Sequence, residues 1–310
     1  MQHMNSGDDI VRVRQSSLIG LSRDARTLPL ISHSVKAQMT GGHRSGLRGR
    51  GMEFYESRPY QAGDDIRAID WRVTARSGRT HTKIYREERE RPVLLWLDLS
   101  RSMFFGTRRC FKSVLAARLA TLFAWRSVQQ GDRLGYLAFS ETQHVESRPA
   151  RGQRSVLRFI QQLVNHDAWM RSASVSVEPH PAIRALVRLR QVTRPGSLVI
   201  MISDFRFLQA HCRAQLAEIS RHSDVILLHT CDPFERELQG RGMYRVTDGV
   251  HSLDIDSSSE SLREHYRQRY QAGYQQLKDL SNELGLFLID MATDADMLME
   301  LKTRFGASLR

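Results

Sequence analysis

The strongest constraint on the fold is a near-continuous apolar run over residues 92–97, PVLLWL, that leads directly into Asp98-Leu99-Ser100-Arg101-Ser102. The run has no helical period, which predicts an interior strand of a sheet that is covered on both faces. Asp98, Ser100 and Ser102 alternate just past the end of this strand, so their oxygens can turn toward one point. Hard oxygen ligands of this kind suit Mg²⁺ or Mn²⁺.

Strands and helices alternate along the rest of the chain. Apolar runs predict further strands at 133–140, 197–203, 225–230 and 286–290. Helical periodicity predicts helices at 109–129, 154–164, 181–190, 208–221 and 260–284, with a last helix near the C-terminus. Strands that alternate with helices of this length are joined by right-handed crossovers into a mostly parallel sheet. The predicted fold class is therefore α/β and doubly wound.

Composition limits the function classes. The chain has 310 residues, of which 41% are hydrophobic, and a formal net charge of +12. That charge favours acidic or phosphate-rich partners, but arginine is spread through every segment, often beside glutamate, and the aromatic and basic interleaving of single-strand binders is missing. Three distant cysteines without a CxxC pair argue for a reducing compartment. With no signal-peptide core and no apolar run of membrane-spanning length, we expect a soluble cytoplasmic protein.

Two predicted strands end in an acid beside serine, at Asp98 and at Ser203-Asp204. In an open α/β sheet, ligands collect at the carboxyl ends of the strands where the strand order reverses. If the two strands are neighbours, Asp98, Ser100, Ser102 and Asp204 meet at one edge. The competing interpretation is that these acids only cap the helices that follow them. Capping explains one of the two acids well. It explains poorly why Asp98, Ser100 and Ser102 alternate at the first strand end while the second strand ends in Ser203-Asp204.

The spacing Asp98-x-Ser100-x-Ser102 resembles the von Willebrand factor A domain, whose metal-ion-dependent adhesion site uses Asp-x-Ser-x-Ser, a threonine on a second loop and an aspartate on a third. Asp98, Ser100 and Ser102 match the first element, and Asp204 matches the third. The threonine has no counterpart, so Ser174, Ser176 or His180 would have to replace it. The resemblance implies a weak or partner-completed site for Mg²⁺ or Mn²⁺.

The segment upstream is similar to the signature of the family catalogued as domain of unknown function 58, from residue 53 to residue 71, EFYESRPYQAGDDIRAIDW. The likeness continues to about residue 250. Members of that family carry a von Willebrand A-like domain and are commonly encoded beside MoxR-type AAA+ ATPases. Residues 1–50 are polar and basic and predict a partly flexible, loosely packed arm, in which residues 18–28 can hold one short helix ended by Pro29. The predicted organisation is this arm, a cap segment over 51–90, and a von Willebrand A-like domain with C-terminal helices over 91–310.

The residues of the cap segment also predict local structure without the resemblance. Pro59 and Gly63 mark a turn, acids cap the next element, and Ile66, Ile69 and Trp71 supply apolar anchors. Arginines that alternate with acids through the segment predict ion pairs. The segment is therefore either a rigid, ion-paired cap on the sheet or a docking face for the ATPase.

The sequence favours a non-enzymatic protein-binding module, an adaptor or chaperone partner of a MoxR-type ATPase. The partner or its client would supply an acidic residue to the metal. A metal-dependent phosphoester hydrolase is the alternative, with Asp132, Glu141 and Asp232 as candidate bases. A basic nucleic-acid-binding protein is the second alternative. The chain has no P-loop and no Gly-x-Ser-x-Gly turn, so neither ATP hydrolysis nor a serine nucleophile is predicted.

Overall fold

The computed structural model describes residues 8–29, 52–61, 64–87, 90–170, 181–208, 210–247 and 252–307. This part of the chain forms two compact units. The smaller unit ends at Glu90, where the sequence predicts the end of the cap segment, and the larger unit contains the N-terminal residues together with everything after Glu90.

The N-terminal residues correct one prediction. Helices α1 (Asp8–Val11) and α2 (Gln15–Ala25) lie in the segment expected to be a loosely packed arm. Leu18 and Ala25 are fully buried in the core of the larger unit. The backbone carbonyl of Leu18 accepts a hydrogen bond from the Trp125 indole at 3.2 Å. The short helix allowed over residues 18–28 corresponds to α2, but the prediction that this segment is loosely packed is wrong, because one apolar face of α2 completes the core.

The smaller unit is a two-stranded antiparallel ribbon, β1 (Met52–Pro59) and β2 (His81–Glu87), connected through the short helix α3 (Trp71–Ser77). Asp70 caps α3 by accepting hydrogen bonds from the backbone N–H groups of Arg72 and Val73, at 3.2 Å each. Gly78 ends the helix in the left-handed conformation, with a φ of 69°.

The ion pairs expected in this unit are present in part, because Arg58 contacts Asp64 at 2.6 Å. The apolar anchors are not as predicted. Ile66 and Trp71 are 68% and 69% exposed, so these two side chains are surface residues and not core anchors. A short 3₁₀ turn over residues 66–68 and the start of α3 place them outward.

The larger unit is built on a six-stranded sheet. In chain order its remaining elements are β3 (Pro92–Asp98), α4 (Lys112–Gln129), β4 (Arg133–Phe139), β5 (His144–Ala150), α5 (Gln153–Val164), α6 (Pro181–Val192), β6 (Leu198–Ser203), α7 (Ala210–His222), β7 (Asp224–Cys231), α8 (Pro233–Arg236), β8 (Met243–Thr247), β9 (Ser252–Asp256), α9 (Glu260–Leu284), β10 (Phe287–Ala292) and α10 (Met297–Ala307). The strand order is β10-β7-β6-β3-β4-β5. Only the β4–β5 pair of this sheet is antiparallel. The prediction of an α/β fold with a mostly parallel sheet is confirmed.

Alternate residues of β3 enter two separate cores, one on each face of the sheet. Leu95 and Leu97 lie in the core formed with α2, α4, α5 and α10. Leu94 and Trp96 lie in the core formed with α6, α7 and α9. Since helices cover both faces, β3 is apolar at successive positions, as an interior strand of a doubly wound sheet must be.

Five of the observed strands are not predicted from the sequence: β1 and β2 of the smaller unit, and β5, β8 and β9 of the larger one. The antiparallel edge strand β5 has the sequence HVESRPA, and the β8–β9 hairpin stands outside the main sheet. These strands are short and half polar, so they lack the apolar runs that mark the interior strands. Among the described residues, no helix combines the length and the apolar character that crossing a membrane requires.

Candidate functional site

The predicted site residues lie where the strand order of the sheet reverses. From β3 the chain moves first to β4 and β5 on one side, and then returns to β6 and β7 on the other side. β3 and β6 are hydrogen-bonded neighbours in parallel register, with Leu97 opposite Ile202. The condition on which the predicted site depends, that the two acid-ended strands are neighbours, is therefore met, and Asp98 and Ser203 lie at the same edge. We call the side chains of Asp98, Ser100, Ser102, Ser203 and Asp204 the oxygen cluster.

Asp98 is fully inaccessible to solvent, as is Ser203. Its Oδ1 accepts the backbone N–H of Ser100 at 2.8 Å, and its Oδ2 accepts the Ser203 hydroxyl at 2.6 Å. None of the basic side chains that the structure describes forms an ion pair with it. Burial, and next the negative charge of Asp204, raise the pKa of Asp98 to about 7.

The Ser203 hydroxyl is positioned by an unusual backbone. Phe205 has a φ of 54°, the one positive value among the described residues other than glycine. Its backbone N–H donates to Ser203 Oγ at 2.9 Å, and that hydroxyl in turn donates to Asp98. A left-handed bulky residue is strained and persists only where the surroundings hold it. The strain is therefore located directly beside the oxygen cluster.

The two loop serines follow Asp98 on one short turn. Ser100 precedes a short 3₁₀ turn over residues 101–103, and its hydroxyl lies 3.5 Å from that of Ser102. The Ser102 hydroxyl is also close enough to Asp204 to help lower the pKa of that carboxyl. The structure thus brings together all four residues that the sequence predicts for the site.

Lys112 and Glu235 complete this region, and sequence reasoning missed both. The Lys112 ammonium contacts Asp204 Oδ2 at 2.8 Å and Glu235 Oε1 at 2.8 Å, and the Lys112 side chain is fully buried. Arg206 donates to Glu235 Oε1 at 2.6 Å. Burial alone would raise the pKa of Asp204, but Lys112, followed by Arg206, outweighs it and lowers the pKa to about 2.

A signal for Lys112 was present in the sequence. It is the first residue of α4, a helix that is otherwise almost entirely buried. A lysine at a buried helix end needs an acidic partner, because an isolated buried ammonium is costly. The identity of that partner was not readable, since Glu235 lies 123 residues further along the chain.

The side chains expected to replace the missing threonine are Ser174, Ser176 and His180, which lie outside the described residues. The candidate general bases are only partly near the cluster. Asp132 precedes β4 and so lies at the opposite end of the sheet from Asp98, about 20 Å away along the strand. Its prediction as a nearby base is wrong. Glu141 does lie near the cluster, where its carboxylate accepts the Arg101 backbone N–H at 2.8 Å.

The third candidate base, Asp232, is fully engaged in structure. Its carboxylate accepts the hydroxyl of Thr107 at 2.5 Å, the hydroxyl of Thr293 at 2.6 Å and the backbone N–H of Phe234 at 3.0 Å. Although burial opposes ionisation, these hydrogen bonds lower the pKa of Asp232. A carboxylate stabilised in this way joins three loops and is a poor proton acceptor.

Comparison with known proteins places the chain among relatives of unassigned function. Residues 56–276 match the family described as "Protein of unknown function DUF58". The uncharacterized protein Rv1480 of Mycobacterium tuberculosis and the uncharacterized protein Mb1516 of Mycobacterium bovis are each 31% identical over 298 residues, which cover 94% of this chain and 90% of the relative.

Two solved structures are similar at a lower level. They are a conserved hypothetical protein BatB from Bacteroides thetaiotaomicron, with 14% identity and a TM-score of 0.45, and an aerotolerance-related membrane protein from Bacteroides fragilis, with 15% identity and a TM-score of 0.42. Each match covers 71% of this chain and 98% of the other chain. Likeness at this level does not establish a shared function.

Proposed function

This chain belongs to the family of proteins of unknown function DUF58, and we propose that it is a non-enzymatic protein-binding module of the von Willebrand factor A type. The oxygen cluster is its docking site, completed by Mg²⁺ or Mn²⁺. The observation that carries the proposal is the convergence of Asp98, Ser100, Ser102 and Asp204 at the switch point between β3 and β6.

The donor chemistry of the cluster fits a hard divalent cation. Two carboxylates and two hydroxyls meet there, and one carboxylate, Asp98, is buried without a basic partner among the described residues. Asp98, Ser100 and Ser102 would hold the ion, and Asp204 would be shared between the ion and Lys112. A bound cation supplies a positive centre that accepts an acidic side chain from a partner.

Charge favours an acidic partner as well. Asp98, Asp204 and Glu235 face two basic groups, Lys112 and Arg206, so the region keeps one negative charge when Asp98 is ionised. A divalent cation reverses that excess, and a carboxylate from a partner restores neutrality. The family resemblance suggests a MoxR-type AAA+ ATPase, or a client protein of it, as the source of that carboxylate in the cytoplasm.

The candidate bases support binding rather than hydrolysis. Of the three acids proposed for a metal-dependent phosphoester hydrolase, Asp132 lies at the far end of the sheet and Asp232 is committed to hydrogen bonds. Glu141 holds a backbone N–H of the Asp98 loop. These acids therefore organise the fold around the cluster, and a freely disposed general base is missing from the set.

The test is thermal unfolding of metal-stripped protein with and without Mg²⁺ or Mn²⁺. A cation at ten times its Kd adds about 1.4 kcal/mol, which corresponds to a rise in Tm of about 3 °C for a chain of this size. We expect that rise in the wild type and in the control Asp254→Ala, whose exposed acid lies on the β8–β9 hairpin. We expect none in Asp98→Ala.

Binding to a purified MoxR-type ATPase from the same organism tests the docking role. Capture should need the divalent cation, disappear with a chelator, and fail with Asp98→Ala while Asp254→Ala retains it. Capture that persists without metal and without Asp98 would show that the oxygen cluster is not the docking site.

A further inference from the structure

Lys112 is the feature of the oxygen cluster that the proposed function leaves unexplained. Its ammonium is fully buried and lies 2.8 Å from each of two carboxylates, those of Asp204 and Glu235. Because a buried ammonium is stable only when it is well paired, these contacts are a fixed part of the structure. A positive charge therefore already occupies the acidic side of the site.

We propose that the Lys112 ammonium is a tethered cation that compensates Asp204 and Glu235 in place of a metal, and that it thereby limits the affinity of the oxygen cluster for divalent ions. This inference rests on the proposed function, since it assumes that the cluster binds a cation. Lys112 acts on the metal through Asp204 and is a positioning residue for it.

Comparison with Arg206 shows why Lys112 has this role. Arg206 contacts the same two acids, at 3.5 Å from Asp204 and 2.6 Å from Glu235, but its side chain is 59% exposed. It can move into solvent when a metal or a partner arrives. Lys112 has no such exit, because its side chain is fully inaccessible and its backbone begins α4. Asp204 is therefore permanently shared, whereas its contact with Arg206 is exchangeable.

Asp98 is compensated differently. Among the residues that the structure describes, its donors are a hydroxyl and an amide, from Ser203 and Ser100. The divalent ion is thus directed to the Asp98, Ser100 and Ser102 side of the cluster. The tethered ammonium keeps the ends of β6 and β7 together whether or not a metal is present, because Asp204 follows β6 and Glu235 follows β7. Metal then binds the chain alone only weakly, and the extra negative charge of an acidic partner tightens its binding.

The test is Lys112→Met, which keeps most of the side-chain volume and removes the charge. We measure Mn²⁺ and Mg²⁺ binding by calorimetry and the metal-induced rise in Tm. Removing a unit positive charge this close to the ligands should tighten metal binding by about tenfold or more. Arg206→Met is the matched control and should change the affinity less, because an exposed cation is screened by solvent.

A second variant covers the risk that Lys112→Met does not fold. Lys112→Met with Glu235→Gln removes one cation and one acid, so the charge balance of the wild type is kept while Asp204 is released. This variant should also bind metal more tightly than the wild type. Affinity equal to that of the wild type in a folded variant of either kind would overturn the inference.

The two proposals fail in different ways. Metal binding in the wild type that depends on Asp98, with no gain in the Lys112 variants, overturns the inference alone. A response in the Lys112 variants without any in the wild type supports the inference and overturns the metal part of the proposed function. Absence of binding in the wild type and in every variant overturns both.

Discussion

Two clusters of polar side chains lie along the same edge of the sheet, and their charges are balanced differently. The oxygen cluster is at the ends of β3 and β6. The second, which we call the thiol cluster, contains His229, Cys231 and Asp290 at the ends of β7 and β10, with Arg236 from α8. Its ligand atoms lie within 4.8 Å of one another.

The thiol cluster is closed by its own basic groups. His229 Nδ1 lies 2.7 Å from Asp290, and the Arg236 guanidinium donates to Asp290 at 2.6 Å and to Cys231 Sγ at 2.8 Å. Burial opposes the ionisation of Asp290, but its contacts with His229 and Arg236 prevail and lower its pKa. Asp98 has no comparable ionic partner among the described residues. The comparison teaches that geometry alone does not identify a metal site, because the charge that remains uncompensated decides where a cation is useful.

The largest expected effect is on the free energy of unfolding, which the loss of Lys112 should lower more than the loss of Arg236. In the presence of a chelator, Lys112→Met should cost about 3–5 kcal/mol of unfolding free energy, because it leaves buried carboxylates without their cation. Arg236→Met should cost less than about 2 kcal/mol, because Arg236 is 41% exposed and water can replace it. Urea unfolding followed by circular dichroism measures both. Equal costs would contradict the distinction between the clusters.

The second effect is on the pH dependence of stability, to which Asp98 and Asp290 should contribute with opposite signs. Asp98 has a raised pKa, so the folded state takes up a proton before the unfolded state does, and stability should rise as the pH falls from about 7 toward 4. Asp98→Asn should remove that rise, which amounts to a few kcal/mol. Urea midpoints measured between pH 4 and 8 in chelator test this against the wild type.

Asp290 provides the opposite case for the same titration. Its pKa is lowered, so its stabilising contribution is present above the unfolded pKa of about 3.9 and is lost as the pH falls further. Asp290→Asn should therefore cost stability at pH 5–8, and the cost should shrink below pH 4. Two variants with parallel pH profiles would contradict the assignment of different environments to the two acids.

The smallest effect is on thiol chemistry. Burial, and next the charge of Asp290, raise the pKa of Cys231 to about 12, so its thiolate is scarce at neutral pH. Iodoacetamide at pH 8, followed by mass spectrometry, should leave Cys231 unmodified in the native chain and modify it after unfolding. Rapid native labelling of Cys231 would show that the thiol cluster is open and not held closed by Arg236.

The sequence predicts the parts of this molecule that follow from local patterns. The apolar runs at 92–97 and 197–203 correspond to β3 and β6, and the helix predicted over 260–284 is α9 with the same bounds. The alternation of strands and helices predicts a parallel sheet, but that β3 and β6 are neighbours in it is known only from the structure. The predicted features depend on periodicity, and periodicity is visible along the chain.

The features that the sequence does not predict depend on contacts between residues that are distant along the chain. The pairing of Lys112 with Glu235 and the packing of α2 against α4 are tertiary, and neither has a spacing that reveals it. The interval of three or four residues between Leu18, Leu21, Ala25 and Leu28 did carry the buried face of α2. That interval allows the helix to be predicted, but the basic residues around it favoured a loosely packed arm over a helix that joins the core. For β5, edge position and a proline conceal the strand pattern.

The most direct test of the central claim is Mn²⁺ titration of metal-stripped protein, followed by the loss of the free-ion electron paramagnetic resonance signal. We expect one weak site in the wild type, its loss in Asp98→Ala, and its retention in Cys231→Ala, which alters only the thiol cluster. Binding that survives Asp98→Ala, or that Cys231→Ala abolishes, would contradict the claim that the oxygen cluster is the cation-dependent docking site.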